Sequence, residues 1–289
     1  MRNEETEISL PAPASTKVGL ADAPRSIRLI ATDLDGTLLR TDETVSERNQ
    51  QALLHAQELG LTVVLASGRS PRNLIGIARD AGLGGLAICC NGAMIYDLDQ
   101  EAVIQHTTLE TAVARELIVR LREAMPGVCF CVELGTSIGM EPAYLALRQR
   151  PPREPPLVDD ALALCSGPVT KIIVRHPSHS VETVLEMTRA AANGSEVTFS
   201  GFSFIEVAAA GVDKGQALKM LCARLNVDAS EVIAFGDMPN DLGMLAWAGH
   251  GVAMANAHPD VLKQAREITL SHMDDGVAVV LERMLAHAS

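Results

Sequence analysis

Aromatic side chains are scarce: one Trp, two Tyr and five Phe make up 3% of the 289 residues. So few rings offer no stacking platform for single-stranded nucleic acid, and the core must be filled by Ala, Val, Leu, Ile and Met. Positive charge is also short, with 24 Lys and Arg against 36 Asp and Glu and a formal net charge of −12. No basic run stands out. An acidic chain repels a phosphate backbone, so no nucleic-acid partner is expected. The six Cys form no C-x-x-C pair, and the eight His show no H-E-x-x-H spacing. Cys89 and Cys90 sit in an apolar run, and Cys129 and Cys131 alternate along a candidate strand. The cysteines read as small buried hydrophobes in a reducing, cytoplasmic compartment. No apolar run reaches about 18 residues free of charge or turn residues, so no membrane span is expected. Residues 1–24 carry Glu4, Glu5 and Glu7 followed by a Pro/Ala/Ser stretch. They lack the basic start and apolar centre of a signal peptide and read as a disordered tail.

What the chain does have is core material, 47% hydrophobic against 21% charged residues, enough for one large domain or two moderate ones. The organising stretch is Asp33-Leu34-Asp35-Gly36-Thr37-Leu38-Leu39. It follows an apolar run, 27–32, that reads as a buried strand. Two carboxylates two residues apart therefore fall where a strand ends, and Gly36 lets the backbone turn away. Two acids and a hydroxyl at a strand end suit metal-assisted phosphoryl transfer. Alone, the motif could also be an ordinary Asp/Gly surface turn.

The neighbouring stretches decide between these. Ser46 is a plausible N-cap of a helix that Gly60 stops. A strand over 61–66 ends at Ser67-Gly68-Arg69. Ser70 and Pro71 open a second helix that Gly82 closes, and a third strand over 86–90 ends at Asn91-Gly92. This β-α-β-α-β rhythm with short links predicts a doubly wound parallel sheet, whose ligands bind beyond the carboxyl ends of the strands. From 93 to 207 the rhythm changes. It gives a helix over 110–125, a strand over 128–133, a stiff Pro-rich loop over 150–156, a strand over 169–175, a helix over 181–192 and a hairpin over 196–207 turning at Gly201. These predict an inserted α+β unit. The first rhythm then returns. Asp213 caps a helix to 225 with Lys214 in its first turn, and a strand over 232–235 ends at Gly236-Asp237-Met238-Pro239-Asn240-Asp241. A short helix over 242–247, a strand over 251–255, a helix from Pro259, a short strand over 267–270 and a helix over 277–285 complete it. The expected division is a tail over 1–24, a core over 25–92 and 208–289, and an inserted unit over 93–207.

Four polar groupings thus fall on one edge of one sheet: Asp33/Asp35/Thr37, Ser67/Gly68, Lys214 and Asp237/Asn240/Asp241. Read singly, Lys214 could be a solvated lysine and Asn240 part of an Asx turn beside Pro239. A Lys in the first helical turn opposes the helix dipole, however, and broken local rules cluster at sites. Arg69 could equally form a salt bridge within the core. Asn91-Gly92 could be a hinge or a plain turn, and structural roles are expected for Glu206, Asp274 and Asp275.

The ordered set Asp-Leu-Asp-Gly-Thr-Leu-Leu, Ser-Gly-Arg, Val-Asp-Lys-Gly and Gly-Asp-Met-Pro-Asn-Asp resembles the four motifs of the haloacid-dehalogenase-like phosphatases. The position of the insert resembles the Cof-type branch, whose α/β cap covers the core. The resemblance spans about residues 27 to 289 and departs in small ways, such as Ser67 where many relatives carry Thr. It implies that Asp33 is the nucleophile that becomes an aspartyl-phosphate. Asp35 would be the acid that protonates the leaving oxygen and then deprotonates water. Ser67 and Lys214 complete the expected catalytic set. Leu34, Thr37, Gly68, Arg69 and Asn240 are the expected phosphate or substrate contacts, with Thr37 also orienting Asp35. Mg²⁺ is the implied cofactor, on the carboxylates of Asp33 and Asp237 and the carbonyl of Asp35. Asp241 is expected to orient water or Lys214, or else to bind the ion directly. The implied partner is a small phosphorylated metabolite, such as a sugar phosphate or phosphorylated cofactor, acted on by a monomer or small homo-oligomer. A phosphomutase and a non-catalytic metabolite sensor on the same fold are the alternatives.

Overall fold

A computed structural model describes residues 27–148, 155–199 and 203–286. The expected tail over 1–24, most of the Pro-rich loop and the turn at Gly201 lie outside the described residues.

The chain opens with β1 (Leu29–Thr32), α1 (Glu47–Glu58), β2 (Thr62–Ala66), α2 (Pro71–Asp80) and β3 (Leu86–Cys89). Each helix begins where local chemistry sets it. Ser46 Oγ accepts the Asn49 amide at 3.1 Å, and Pro71 stands in the first turn of α2, where no helical partner for its nitrogen is needed. Gly60 and Gly82 take φ of +84° and +65° just beyond the two helices.

A hairpin follows, β4 (Met94–Asp97) and β5 (Ala102–His106), and then the second unit. That unit runs α3 (Thr111–Ala124), β6 (Cys129–Leu134), β7 (Ser137–Met140), α4 (Pro142–Ala146), β8 (Leu157–Val158), α5 (Ala161–Leu164), β9 (Lys171–Arg175), α6 (Val181–Ala191), β10 (Glu196–Thr198) and β11 (Ile205–Ala208). The chain returns through α7 (Lys214–Leu225), β12 (Val232–Gly236), α8 (Leu242–Trp247), β13 (His250–Ala253), α9 (Pro259–Gln264), β14 (Glu267–Ile268) and α10 (Gly276–Leu285).

The first sheet has eight strands in the order β14-β13-β12-β1-β2-β3-β4-β5. It is parallel from β14 to β3, and β4 and β5 are antiparallel. β1 lies between β12 and β2, and all four of its residues are buried, as a central strand covered on both faces requires. Alternation divides its side chains. Ile30 joins Leu53, Leu74 and Leu281 from α1, α2 and α10 on one face. Leu29 and Ala31 join Leu218, Leu221 and Met244 from α7 and α8 on the other. The core is therefore a doubly wound α/β sheet.

The sheets do not divide where the sequence rhythm suggested. The expected second unit starts at 93, yet β4 and β5 extend the first sheet, and the crossing comes after His106. Cys90, Asn91 and Gly92 take φ of +53°, +57° and +103°. That left-handed turn reverses the chain, so β4 pairs antiparallel with β3 with no helical crossover. A sequence reading that tracks strand–helix alternation registers such a reversal as the end of the domain.

The second sheet has six strands, ordered β10-β11-β9-β6-β7-β8, and only its β7–β8 pair is parallel. Phe130, Val132, Ile172, Val174, Ile205 and Val207 bury one face under α3, α5 and α6. The opposite face carries Cys131, Ile173 and three charged residues, Glu133, Lys171 and Glu206, all buried. All six cysteines are buried thiols. No helix of the described residues is long and apolar enough to cross a membrane.

Candidate active site

β1, β2, β3 and β12 end along one edge of the first sheet, and the loops that follow carry the motif residues. Asp33 continues β1, its amide bonded to Phe235 O of β12 at 3.0 Å. Asp237 directly follows β12. Lys214 is the first residue of α7, whose N-cap Asp213 accepts the Gln216 amide at 2.9 Å. The Lys214 side chain is 1% exposed, so it is not a solvated lysine. Its Nζ donates to Asp33 Oδ1 at 2.5 Å and to Asp241 Oδ1 at 2.6 Å. One carboxylate oxygen from each of Asp33, Asp237 and Asp241 lies within 4.8 Å of the others.

Three buried acids and one lysine leave the cluster short of positive charge. Burial pushes the Asp33 carboxyl well above its usual range; Lys214 opposes the rise, and Asp241, Asp237 and Asp35 add to it. Burial and Asp241 likewise push Asp237 up to about 7, against the Thr37 hydrogen bond and Lys214. Burial works against the charge of Lys214, but Asp241 and Asp33 more than reverse this and raise its pKa. A hard divalent cation fits such an all-oxygen, under-neutralised donor set. Asp241 is the acid least available to one. Besides Lys214, it accepts the Asp237 and Met238 amides on Oδ2 at 3.0 and 2.9 Å.

Other residues stand where their expected roles were only partly visible. Thr37, expected to orient Asp35, places its hydroxyl 3.0 Å from Asp237 Oδ1. Its position four residues after Asp33 in a tight turn aims it across the site at β12. Asp35 is half-exposed and held by Arg69 through Nε at 2.8 Å and Nη2 at 2.6 Å, with Glu43 Oε1 3.6 Å from Arg69. Arg69, read as either a substrate contact or a core salt bridge, forms the salt bridge here. Leu34 packs its side chain in the core, which limits any ligand contact to its backbone. Ser67 is buried, its Oγ accepting the Arg69 amide at 3.1 Å. Gly68 O accepts Lys171 Nζ at 2.6 Å. Asn240 donates through Nδ2 to Asn91 Oδ1 at 3.0 Å, and its buried Oδ1 has no hydrogen-bond partner among the described residues.

Gly36 has a steric role that turn chemistry alone does not reveal. It sits at φ +80°, and a Cβ there would lie 2.3 Å from Asp237 Oδ2. Gly36→Ala therefore strains the turn and displaces Asp237. The expected result is a loss of about 10²-fold in kcat/KM with a folded protein, measured by steady-state kinetics beside circular dichroism. Activity within threefold of the parent would show that the loop yields freely.

Lys171, Glu133, Arg72 and Asn256 escaped the sequence reading. Asn256 donates to Gly36 O at 2.8 Å and so braces the acidic turn from the loop after β13. Lys171 and Glu206 did leave a signal, a charge opening the apolar run Lys-Ile-Ile-Val and a charge within Ile-Glu-Val-Ala, where an unpaired charge would be costly.

Set against known proteins, residues 30–281 match the haloacid dehalogenase-like hydrolase family. The chain is 28% identical to phosphatase YwpJ of Bacillus subtilis over 90% of this chain and 100% of that one. It is also 28% identical to the pyridoxal phosphate phosphatase YbhA of Escherichia coli, over 87% of this chain and 96% of that one. A solved haloacid dehalogenase-like hydrolase from Bacteroides thetaiotaomicron superposes with a TM-score of 0.74 at 30% identity, covering 90% of this chain and 100% of that one. The chain belongs to the haloacid dehalogenase-like hydrolases. Within that family it is an enzyme of the phosphatase class.

Proposed function

We propose that the protein hydrolyses the phosphomonoester of a small metabolite, a sugar phosphate or a phosphorylated cofactor, in two displacements at Asp33. The observation that carries this is the buried Lys214 held between Asp33 and Asp241 beside Asp237. Nothing in the packing of the fold calls for four ionisable groups there, whereas charge transfer at phosphorus does.

In the first step an Asp33 carboxylate oxygen bonds to phosphorus as the ester P–O bond breaks, and the leaving oxygen takes the Asp35 proton. In the second, Asp35 takes a proton from water as the water oxygen bonds to phosphorus. The acyl–phosphate P–O bond breaks, orthophosphate departs and Asp33 is restored. Asp35 must exchange its Arg69 contact for the substrate to do this. Lys214, the Ser67 hydroxyl, the Gly68 amide and Asn240 supply donors to the phosphoryl oxygens. Mg²⁺, held by the Asp33 and Asp237 carboxylates and the Asp35 carbonyl, would neutralise charge as the nucleophile approaches. Asp241 orients Lys214 rather than binding the ion. The phosphorylated-cofactor class rests on a relative named as a pyridoxal phosphate phosphatase, and the sugar-phosphate class on one named as a 5-amino-6-(5-phospho-D-ribitylamino)uracil phosphatase, whose phosphate sits on a ribityl chain.

The test is orthophosphate release from a panel of phosphorylated sugars and cofactors, with Mg²⁺, with chelator, and with Asp33→Asn. Metal-dependent release that the variant loses is the expected result. Tight binding of one compound without release would point to a sensor. A second readout needs no turnover. Saturating Mg²⁺ should raise the melting temperature by about 2–5 °C, because it relieves the repulsion among the acids. Asp237→Asn should abolish that rise, and an equal rise in the variant would move the metal elsewhere.

A further inference from the structure

The charged face of the second sheet meets the phosphate-side loops of the first. Arg72, in the first turn of α2, donates through Nη2 to Glu133 Oε1 and Oε2 at 2.8 and 2.6 Å. Lys171 forms a buried ion pair with Glu206 Oε1. Both pairs are buried, and each joins opposite charges.

Two arms run from the Glu206 carboxylate. In one, Oε1 holds Lys171, whose Nζ donates to Gly68 O at 2.6 Å in the loop after β2. In the other, Oε2 accepts Asn91 Nδ2 at 2.8 Å, and Asn91 Oδ1 accepts Asn240 Nδ2 at 3.0 Å in the loop after β12. A side-chain amide has two N–H groups, and fixing one on Asn91 fixes the direction of the other. Asn91 has little freedom of its own. It is 3% exposed at φ +57°, and its amide donates to Ser67 O at 3.0 Å. Gly92 beside it comes so close to α7 that a Cβ would lie 2.3 Å from Asp213 O.

We infer that Glu206 is a positioning residue for phosphate binding, aiming Asn240 through Asn91 and fixing the Gly68 loop through Lys171. The phosphate contacts are then complete only while the second sheet is seated on the first. This deepens the phosphate-site reading above, on which it rests.

The test is calorimetric titration of the full chain with orthophosphate in MgCl₂, run on the parent, Glu206→Gln, Asn91→Gly, Asn240→Ala and the double variants with Asn240→Ala. Glu206→Gln should weaken orthophosphate binding about tenfold or more. Asn91→Gly cuts only the Asn240 arm, leaves the Lys171–Glu206 pair intact and suits the left-handed turn. It should weaken binding about as much as Asn240→Ala, and it decides the matter if Glu206→Gln does not fold. Because Asn91 acts through Asn240, adding Asn240→Ala to Asn91→Gly should cost less than about twofold more. Affinities within twofold of the parent, fully additive losses, or a parent chain that binds no orthophosphate would each overturn the inference. Parent turnover, assayed in parallel, keeps the two readings apart: binding without hydrolysis would remove the phosphatase mechanism and leave the positioning role standing.

Discussion

Asp33→Asn is expected to lower kcat by at least about 10⁴-fold while the protein stays folded. The amide keeps the volume of the carboxylate, and its oxygen can still accept Lys214 Nζ, now at 2.5 Å from Asp33 Oδ1. It removes the group that attacks phosphorus under this reading. It also removes a carboxyl whose pKa burial pushes up, with Asp241, Asp237 and Asp35 adding to the rise. The loss of a charge-assisted bond and the relief of repulsion oppose each other, so the change in stability should stay within about 1 kcal/mol. Steady-state kinetics and thermal melts on the same preparation check both halves. Retention of a tenth of the parent rate would remove Asp33 as nucleophile.

Lys214→Met should damage both stability and rate. Met follows the path of the Lys stem, so packing changes little, but the variant strands Asp33 and Asp241 in the interior without their shared cation. Breaking a buried ion pair from one side costs about 3–5 kcal/mol. Asp241 limits this, since the Asp237 and Met238 amides still hold its second oxygen. Removing a donor aimed at developing charge should also lower kcat about 10²–10³-fold. Denaturant unfolding and kinetics at saturating substrate separate the two effects. A variant as stable as the parent and within tenfold of its rate would show that Lys214 only fills space.

The contrast between these two residues reflects how each could be read. Asp33 was legible because a carboxylate at the end of an apolar run, followed by Asp-Gly-Thr, sits within one short stretch. Lys214 was legible only as a local misfit, a cation at the positive end of a helix. Its meaning required Asp33 and Asp241, 181 and 27 residues away in the chain. Thr37 lay in the motif, yet its target did not, because the orientation of a hydroxyl in a turn depends on what faces it. The sheet that β4 joins was hidden for a similar reason: Asn91 and Gly92 mark a turn, but whether a turn reverses a strand within a sheet or leaves the sheet depends on pairing with β3.

By itself the sequence determined the parallel strands of the first sheet and their helices, the edge on which the acidic loops emerge, and the motif order that places the chain in its family. These follow from periodicity, capping and turn chemistry, which act over a few residues. Only the tertiary structure decided that Lys214 lies between two acids, that Arg69 holds Asp35, and that Glu206 reaches both Gly68 and Asn240 through Lys171 and Asn91. Such contacts join residues up to 181 positions apart. They are set by how two sheets pack and by the cost of leaving a charge buried alone, and neither is written in any local stretch of the chain.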